Sequence, residues 1–137
     1  MPETLPSTAA IDDSLRAVLT HFPEVGLAIL FGSVASGRAR ADSDLDIAVE
    51  AQQVLTATQI IKLTQALAGT TGRPIDLIDL KTVTEPLLGQ ILQHGRRLLG
   101  SDTLFGQLIS RHLLAQADFM PYRNRVLAER RMAWIGK

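Results

Sequence analysis

The chain has 137 residues, of which 46% are hydrophobic, so it is long enough for one folded domain and too apolar for an intrinsically disordered protein. Fourteen basic residues balance fourteen acidic ones, which argues against a domain that binds long nucleic acid through its phosphates. The chain has no cysteine, which excludes disulfides and zinc–thiolate sites. With no apolar run of membrane-spanning length and no signal peptide, we expect a cytoplasmic protein that contacts no membrane.

The first predicted elements are a helix and a strand. Apolar residues recur at the spacing of one helical face before Pro23, at Ile11, Leu15, Val18, Leu19 and Phe22. The following run from Val25 to Phe31 is almost entirely apolar, which is typical of a strand covered on both faces. A short Gly32-Ser33 turn comes directly after it.

Residues 44–50 alternate between apolar and other side chains, which predicts a second strand. Leu45, Ile47 and Val49 would face the core, whereas Asp44, Asp46, Ala48 and Glu50 would share the opposite face. Neighbouring carboxylates on one face repel each other, and Mg²⁺ would relieve that repulsion, since it binds one or two carboxylates together with substrate phosphates. Because glycine has no Cβ, the turn before this strand can bring backbone N–H groups close to an anion. The two features together predict a site for a phosphate-bearing substrate and its metal.

The remaining residues predict alternating helices and strands. Thr56 and Gln59 have the spacing of a capping box at the start of a helix, whose apolar residues Ile60, Leu63 and Leu67 run toward Gly69 or Gly72. A strand over residues 74–80 and a helix that Thr84 caps and Gly95 closes come next. A short edge strand over residues 96–99 precedes a last helical region, which starts at 101, breaks at Pro121 and runs toward Trp134. This order predicts an α/β or α+β fold with helices on one face of a small mixed sheet and the acids on the open face.

The segment from Gly32 to Asp46 resembles the signature of a known family. Gly32-Ser33, ten intervening residues and Asp44-x-Asp46 match the signature of the DNA polymerase β-like nucleotidyltransferase superfamily. The form FGSVASG…SDLDIAV is most similar to its minimal nucleotidyltransferase (MNT) branch, small prokaryotic proteins that are often the antitoxin of a HEPN–MNT toxin–antitoxin pair. The resemblance implies the polymerase β-like nucleotidyltransferase fold. We expect a nucleotidyltransferase core over residues 1–100 and, over residues 101–137, a helical extension of the same domain that could dock a partner.

The third carboxylate of the site has two candidates in the strand over residues 74–80. Two metal ions, which hold the attacking and leaving oxygens in such transfers, need more than two carboxylates. Alternation places Asp76 and Asp79 on opposite faces, so only one of them would join Asp44 and Asp46. The resemblance favours Asp76, which would also receive the proton of the attacking hydroxyl. Asp79 would then cap or pair at the surface.

Three residues of the loop between the turn and the second strand are candidate contacts for a triphosphate: Arg38, Arg40 and Ser43. Arginine suits phosphate geometry, although both arginines could equally be surface residues, and Ser43 could instead cap the turn. Family members often carry basic residues at positions 34 and 36, where this chain has valine and serine. Arg38 and Arg40 could supply the positive charge that these two positions lack.

The resemblance implies attack of a hydroxyl on the α-phosphate of ATP, with pyrophosphate leaving. Asp44, Asp46 and Asp76 would hold two Mg²⁺ ions, and Gly32 and Ser33 would hold the β- and γ-phosphates. The implied acceptor is a tyrosine of a HEPN-domain ribonuclease toxin, so the chain would be an antitoxin that silences its partner by adding AMP within a hetero-oligomer. Two alternatives are a non-catalytic antitoxin that neutralises the toxin by binding, and an aminoglycoside-type small-molecule nucleotidyltransferase, for which the chain lacks a second domain.

Overall fold

A mixed α/β fold is seen in the computed structural model, which describes residues 8–35, 37 and 43–117. In chain order its elements are helix α1 (Thr8–Leu19), strand β1 (Val25–Phe31), the one-turn helix α2 (Gly32–Ala35), strand β2 (Leu45–Ala51), helix α3 (Ala57–Thr71), strand β3 (Ile75–Asp79), helix α4 (Leu87–His94) and strand β4 (Arg96–Leu99). Residues 102–117 are helical and are referred to as α5. The predicted element types are confirmed, with α2 as an addition, whereas the predicted break at Pro121 lies outside the described residues. No helix in the described ranges is long and apolar enough to span a membrane.

The sheet is mixed, with strand order β3-β2-β1-β4. Strand β1 is antiparallel to both β2 and β4, whereas β2 and β3 run parallel. The register pairs Phe31 with Asp46 across β1 and β2, and Asp46 with Asp76 across β2 and β3. The end of β1 and the starts of β2 and β3 therefore meet at one edge of the sheet.

Helices α1 and α3 cover the first face of the sheet. The β2 side chains that were predicted to face the core, Leu45, Ile47 and Val49, are all fully buried in a cluster with residues of both helices. Burying one such aliphatic side chain stabilises a fold by about 1.5–3 kcal/mol. The alternation that was read from the sequence is thus the alternation of the folded strand.

Helices α4 and α5 pack against the second face, so the prediction of helices on one face only is wrong. Leu88 and Ile91 of α4 and Leu108 of α5 form a second buried cluster with Leu27, Ile29 and Ala48. Strand β1 is apolar on both sides, and its second side needs this cover. At the start of β2 the cover ends, since Ala48 is buried, Asp46 is half-buried and Asp44 is exposed.

The helix ends follow the predicted signals in one case and depart from them in another. Thr56 and Gln59 form the predicted capping box of α3, and Gly72 ends that helix in a left-handed conformation with φ +68°. Ile60, one of the three apolar residues that predicted this helix, is 38% exposed. The cap position of α4 is Pro86, which provides no side-chain cap, so the predicted capping role of Thr84 is wrong.

Candidate active site

Three carboxylates meet at the open edge of the sheet. Asp46 on β2 lies directly opposite Asp76 on β3, and Asp44 immediately precedes β2. The pKa of Asp46 is raised above its ordinary value of 3.8, first because burial disfavours the charged carboxylate. The negative charge of Asp76, a hydrogen bond with Asp76 and the charge of Asp44 raise it further. Asp46 therefore interacts in the fold with both of the other acids that were singled out in the sequence.

This acidic cluster fits an open magnesium site rather than a closed metal cage. In the described ranges, no three His, Asp or Glu side chains are placed so that they could together hold a metal ion. Mg²⁺ does not require such a cage, because it keeps several waters and binds one or two carboxylates together with substrate phosphates. The donors are hard carboxylate oxygens, and burial, together with their mutual repulsion, raises the pKa of Asp46. A cation beside them would lower that repulsion.

Gly32 allows the Asp46 carboxylate to lie against the backbone of the turn. Gly32 has φ +77°, a conformation that side chains with a Cβ rarely adopt. A Cβ at this position would collide with the Asp46 carboxylate and lie 2.9 Å from its Cγ. Ser33, the next residue of α2, is exposed at the same edge. The turn and the acidic cluster thus form one continuous surface.

Asp79 is bonded elsewhere. Its Oδ2 accepts the backbone N–H of Leu55 at 2.8 Å, and its Oδ1 accepts that of Lys81 at 2.9 Å. Both carboxylate oxygens therefore hold the loops that follow β2 and β3. This is the capping role expected for Asp79, although the side chain is half-buried rather than at the surface.

The structure describes some of the remaining acidic and phosphate-contact candidates but not all of them. Ser43 is half-buried and immediately precedes Asp44. Arg38 and Arg40 lie outside the described residues, so their proposed contact with a triphosphate stays a prediction. Glu50 shares the face of Asp46 but lies at the far end of β2, where its Oε1 is 4.0 Å from Lys81 Nζ.

Sequence reasoning missed two features of the described residues. Asp12 of α1 is buried and paired with Arg96 of β4; the only signal in the sequence was an acid next to the apolar stripe. A cavity of about 410 Å³ lies away from the acidic cluster, at the far end of the sheet. It is lined by groups of both charges, among them Glu50, Lys81 and Arg111, and by none of the predicted site residues.

Replacing Asp46 by asparagine is expected to stabilise the metal-free fold at neutral pH. Because the pKa of Asp46 is raised on folding, the folded chain holds that proton more tightly than the unfolded chain, and stability falls as the pH rises from 3.8 to the folded value. Asp46→Asn removes this loss. Urea unfolding in metal-free buffer should show a larger free energy of unfolding for the variant at neutral pH, and no difference well below pH 3.8.

Asp44→Asn is the matched control. Its free energy of unfolding should rise by less, because the charge of Asp44 is the smallest of the causes that raise the pKa of Asp46. Equal or lower stability of Asp46→Asn at neutral pH would contradict the electrostatic description of the cluster.

The sequence matches the family model described as polymerase beta, nucleotidyltransferase, over residues 13–104. It is also similar to a protein of Shewanella oneidensis named protein adenylyltransferase MntA. The two chains are 31% identical over 118 residues, which cover 83% of this chain and 85% of that protein.

Solved structures of toxin–antitoxin complexes resemble the fold. One is a toxin–antitoxin with AMP-PNP, which matches with a TM-score of 0.67 and 30% identity over 85% of this chain and 98% of the other. A second is a tri-AMPylated Shewanella oneidensis HEPN toxin in complex with MNT antitoxin. It matches with a TM-score of 0.63 and 28% identity, over 88% of this chain and 98% of the other.

Proposed function

The chain belongs to the polymerase β nucleotidyltransferase family, as one of its minimal nucleotidyltransferases, and from that premise we propose that it is an antitoxin adenylyltransferase. It transfers AMP from ATP to a tyrosine hydroxyl of a cognate HEPN ribonuclease toxin and thereby neutralises the toxin. The observation that carries the proposal is the placement of Asp46 opposite Asp76 and against the backbone of Gly32. Similarity to a named protein adenylyltransferase and to a complex with an AMPylated HEPN toxin supports it.

The proposed reaction gives each residue of the cluster a role. The acceptor oxygen forms a bond to the α-phosphorus of ATP, the bond to the bridging oxygen of the β-phosphate breaks, and pyrophosphate leaves. Asp76 takes the proton of the acceptor hydroxyl, as an exposed carboxylate at the mouth of the site can. The N–H groups of Gly32 and Ser33 bind the β- and γ-phosphates, with Arg38, Arg40 and Ser43 as further proposed contacts.

The proposed nucleotide site also binds magnesium. Two Mg²⁺ ions held by Asp44, Asp46 and Asp76 would neutralise the phosphate charge and stabilise the attacking and leaving oxygens. By holding the Mg²⁺ ions at fixed positions, the three carboxylates would also orient the α-phosphate. The resemblance to a complex with AMP-PNP supports ATP as the nucleotide.

A protein acceptor fits the surface of the chain. The formal net charge is zero, which suits a protein partner better than a nucleic acid. Helix α5 exposes Ile109, Leu113 and Leu114, as expected if residues 101–137 dock the toxin in a hetero-oligomer. A ribonuclease toxin acts on cellular RNA, so we place the pair in the cytoplasm.

The second candidate is an antitoxin that neutralises its partner by contact alone. Valine and serine at positions 34 and 36 favour it, because family members often carry basic residues there. Co-expression with the toxin separates the two functions: an enzyme loses protection of cell growth in Asp44→Asn/Asp46→Asn, whereas a binding antitoxin keeps it. Co-purification of variant and toxin checks that binding itself is intact.

Asp76→Asn is expected to lower the transfer rate without lowering stability, and Asp79→Asn is expected to do the reverse. Asp76 is exposed, so its asparagine variant should fold normally and transfer AMP about 10²–10⁴-fold more slowly, the range for loss of a general base. Asp79 accepts two backbone N–H groups, so its variant should lose about 1–3 kcal/mol of stability and keep its transfer rate below its unfolding temperature. Transfer rates and urea unfolding of both variants measure this. An inactive but stably folded Asp79→Asn beside an active Asp76→Asn would reverse the assignment.

A further inference from the structure

An ion pair between a buried aspartate and a half-buried arginine joins α1 to β4 near the proposed site. Arg96 Nε donates to Asp12 Oδ2 at 2.9 Å, and Arg96 Nη2 donates to Asp12 Oδ1 at 3.0 Å, so the pair is bidentate. Asp12 is 6% exposed and is the one buried charged side chain in the part of the chain that the structure describes. Burying a carboxylate is costly, and an ion pair formed around a buried carboxylate often stabilises a fold no better than apolar side chains of similar size. Stability alone is therefore a weak reason for a charged pair at this place.

The third bond of Arg96 leads to the proposed phosphate-binding turn. Its Nη1 donates to the carbonyl oxygen of Ala35 at 3.3 Å, and Ala35 is the last residue of α2. Gly32, the first residue of α2, lies against the Asp46 carboxylate. One guanidinium group thus links both α1 and β4 to the end of a single turn, whose other end touches the acidic cluster.

We propose that Arg96, oriented by Asp12, is a positioning residue that fixes α2 relative to Asp46 and so sets the affinity for the nucleotide triphosphate. The inference rests on the proposed function, because it requires Gly32 and Ser33 to contact the β- and γ-phosphates. Arginine suits the role, since its planar group can bind a carboxylate through two nitrogens and still present a third donor. Lysine is a compact point charge and lacks this fork.

The double variant Asp12→Leu/Arg96→Met tests the inference, because it removes the pair without leaving a buried charge unpaired. It should keep the unfolding midpoint of the wild type within a few degrees and bind AMP-PNP with Mg²⁺ about tenfold more weakly in calorimetry, the scale of one hydrogen bond to a charged group. Exchange of the Gly37 amide hydrogen, which donates to the Val34 carbonyl across the turn, should also become faster. Exchange of β1 amides should be unchanged.

Arg97→Met is the matched control. Arg97 is the next residue of β4 but pairs with Asp102 and lies 4.8 Å from the centre of the Phe105 ring, on the other face of the sheet. This variant should bind AMP-PNP as the wild type does. Weakening equal to that of the double variant would overturn the inference, because it would show a general effect of altering β4.

The remaining outcomes separate the inference from the proposed function. A folded double variant with wild-type affinity and wild-type Gly37 exchange overturns the role of Arg96. A wild-type chain that binds no AMP-PNP overturns the proposed function itself. Should the double variant not fold, Arg96→Lys replaces it, because it keeps a cation beside Asp12; weaker AMP-PNP binding then supports the inference, and wild-type binding overturns it.

Discussion

The Asp44→Asn/Asp46→Asn variant is expected to transfer AMP at least about 10³-fold more slowly than the wild type and to remain folded. Loss of one preorganised electrostatic contact to a transition state commonly costs 10²–10³-fold, and this variant removes two charges from the proposed metal and phosphate site. Folding should survive because Asp44 is exposed and the pKa of Asp46 is raised by burial and by its acidic neighbours. The initial rate of AMP incorporation into the partner toxin, together with urea unfolding, measures both.

Glu50→Gln is the control for this variant. Glu50 lies on the same strand and the same face as Asp46, but at the far end of β2 beside Lys81, so its charge should not affect the transfer. It should keep the wild-type rate. A double variant within tenfold of the wild-type rate, or a Glu50→Gln variant that is equally slow, would contradict the assignment of the site.

Gly32→Ala is expected to lower the transfer rate by about 10²-fold or more, because small misplacements of reacting groups have effects of that size. The added Cβ would collide with the Asp46 carboxylate, so either that carboxylate or the turn must move. The positive φ of Gly32 adds about 1–2 kcal/mol of conformational cost. Transfer rates at saturating ATP and free energies of unfolding separate the loss of geometry from the loss of stability.

Gly72→Ala is the matched control for Gly32→Ala. Gly72 has a similar positive φ of +68°, and a Cβ there would meet nothing within 4 Å. This variant should lose similar stability and keep the wild-type transfer rate. If the two alanine variants were equally active when folded, the contact between Gly32 and Asp46 would have no catalytic importance.

The local features of the site could be predicted from the sequence because they depend on short-range patterns. The alternation in β2 identified which of its side chains face the core, and all three of them are buried. The spacing of Gly32, Ser33, Asp44 and Asp46 indicated the family before any fold was known. The capping box of α3 was also predictable, since both of its hydrogen bonds lie within one helical turn.

Features that join distant parts of the chain could not be predicted in this way. Asp76 was favoured over Asp79 by resemblance, whereas its position opposite Asp46 depends on the parallel register of β2 and β3. The periodicity of a helix shows that one of its sides is apolar, but not which face of the sheet that side covers. The packing of α4 and α5 on the second face was therefore not predictable. The pair of Asp12 and Arg96 joins residues 84 positions apart, and no local pattern indicates such a contact.

Intact-mass spectrometry of the cognate HEPN protein tests the central proposal most directly. After incubation with this chain, ATP and Mg²⁺, the HEPN protein should gain the mass of one or more AMP units. No gain should occur when the metal is chelated or when Asp44→Asn/Asp46→Asn replaces the wild type. An unchanged mass, with a stable complex between the two wild-type proteins, would contradict the proposed adenylyltransferase activity. It would instead indicate an antitoxin that acts by binding.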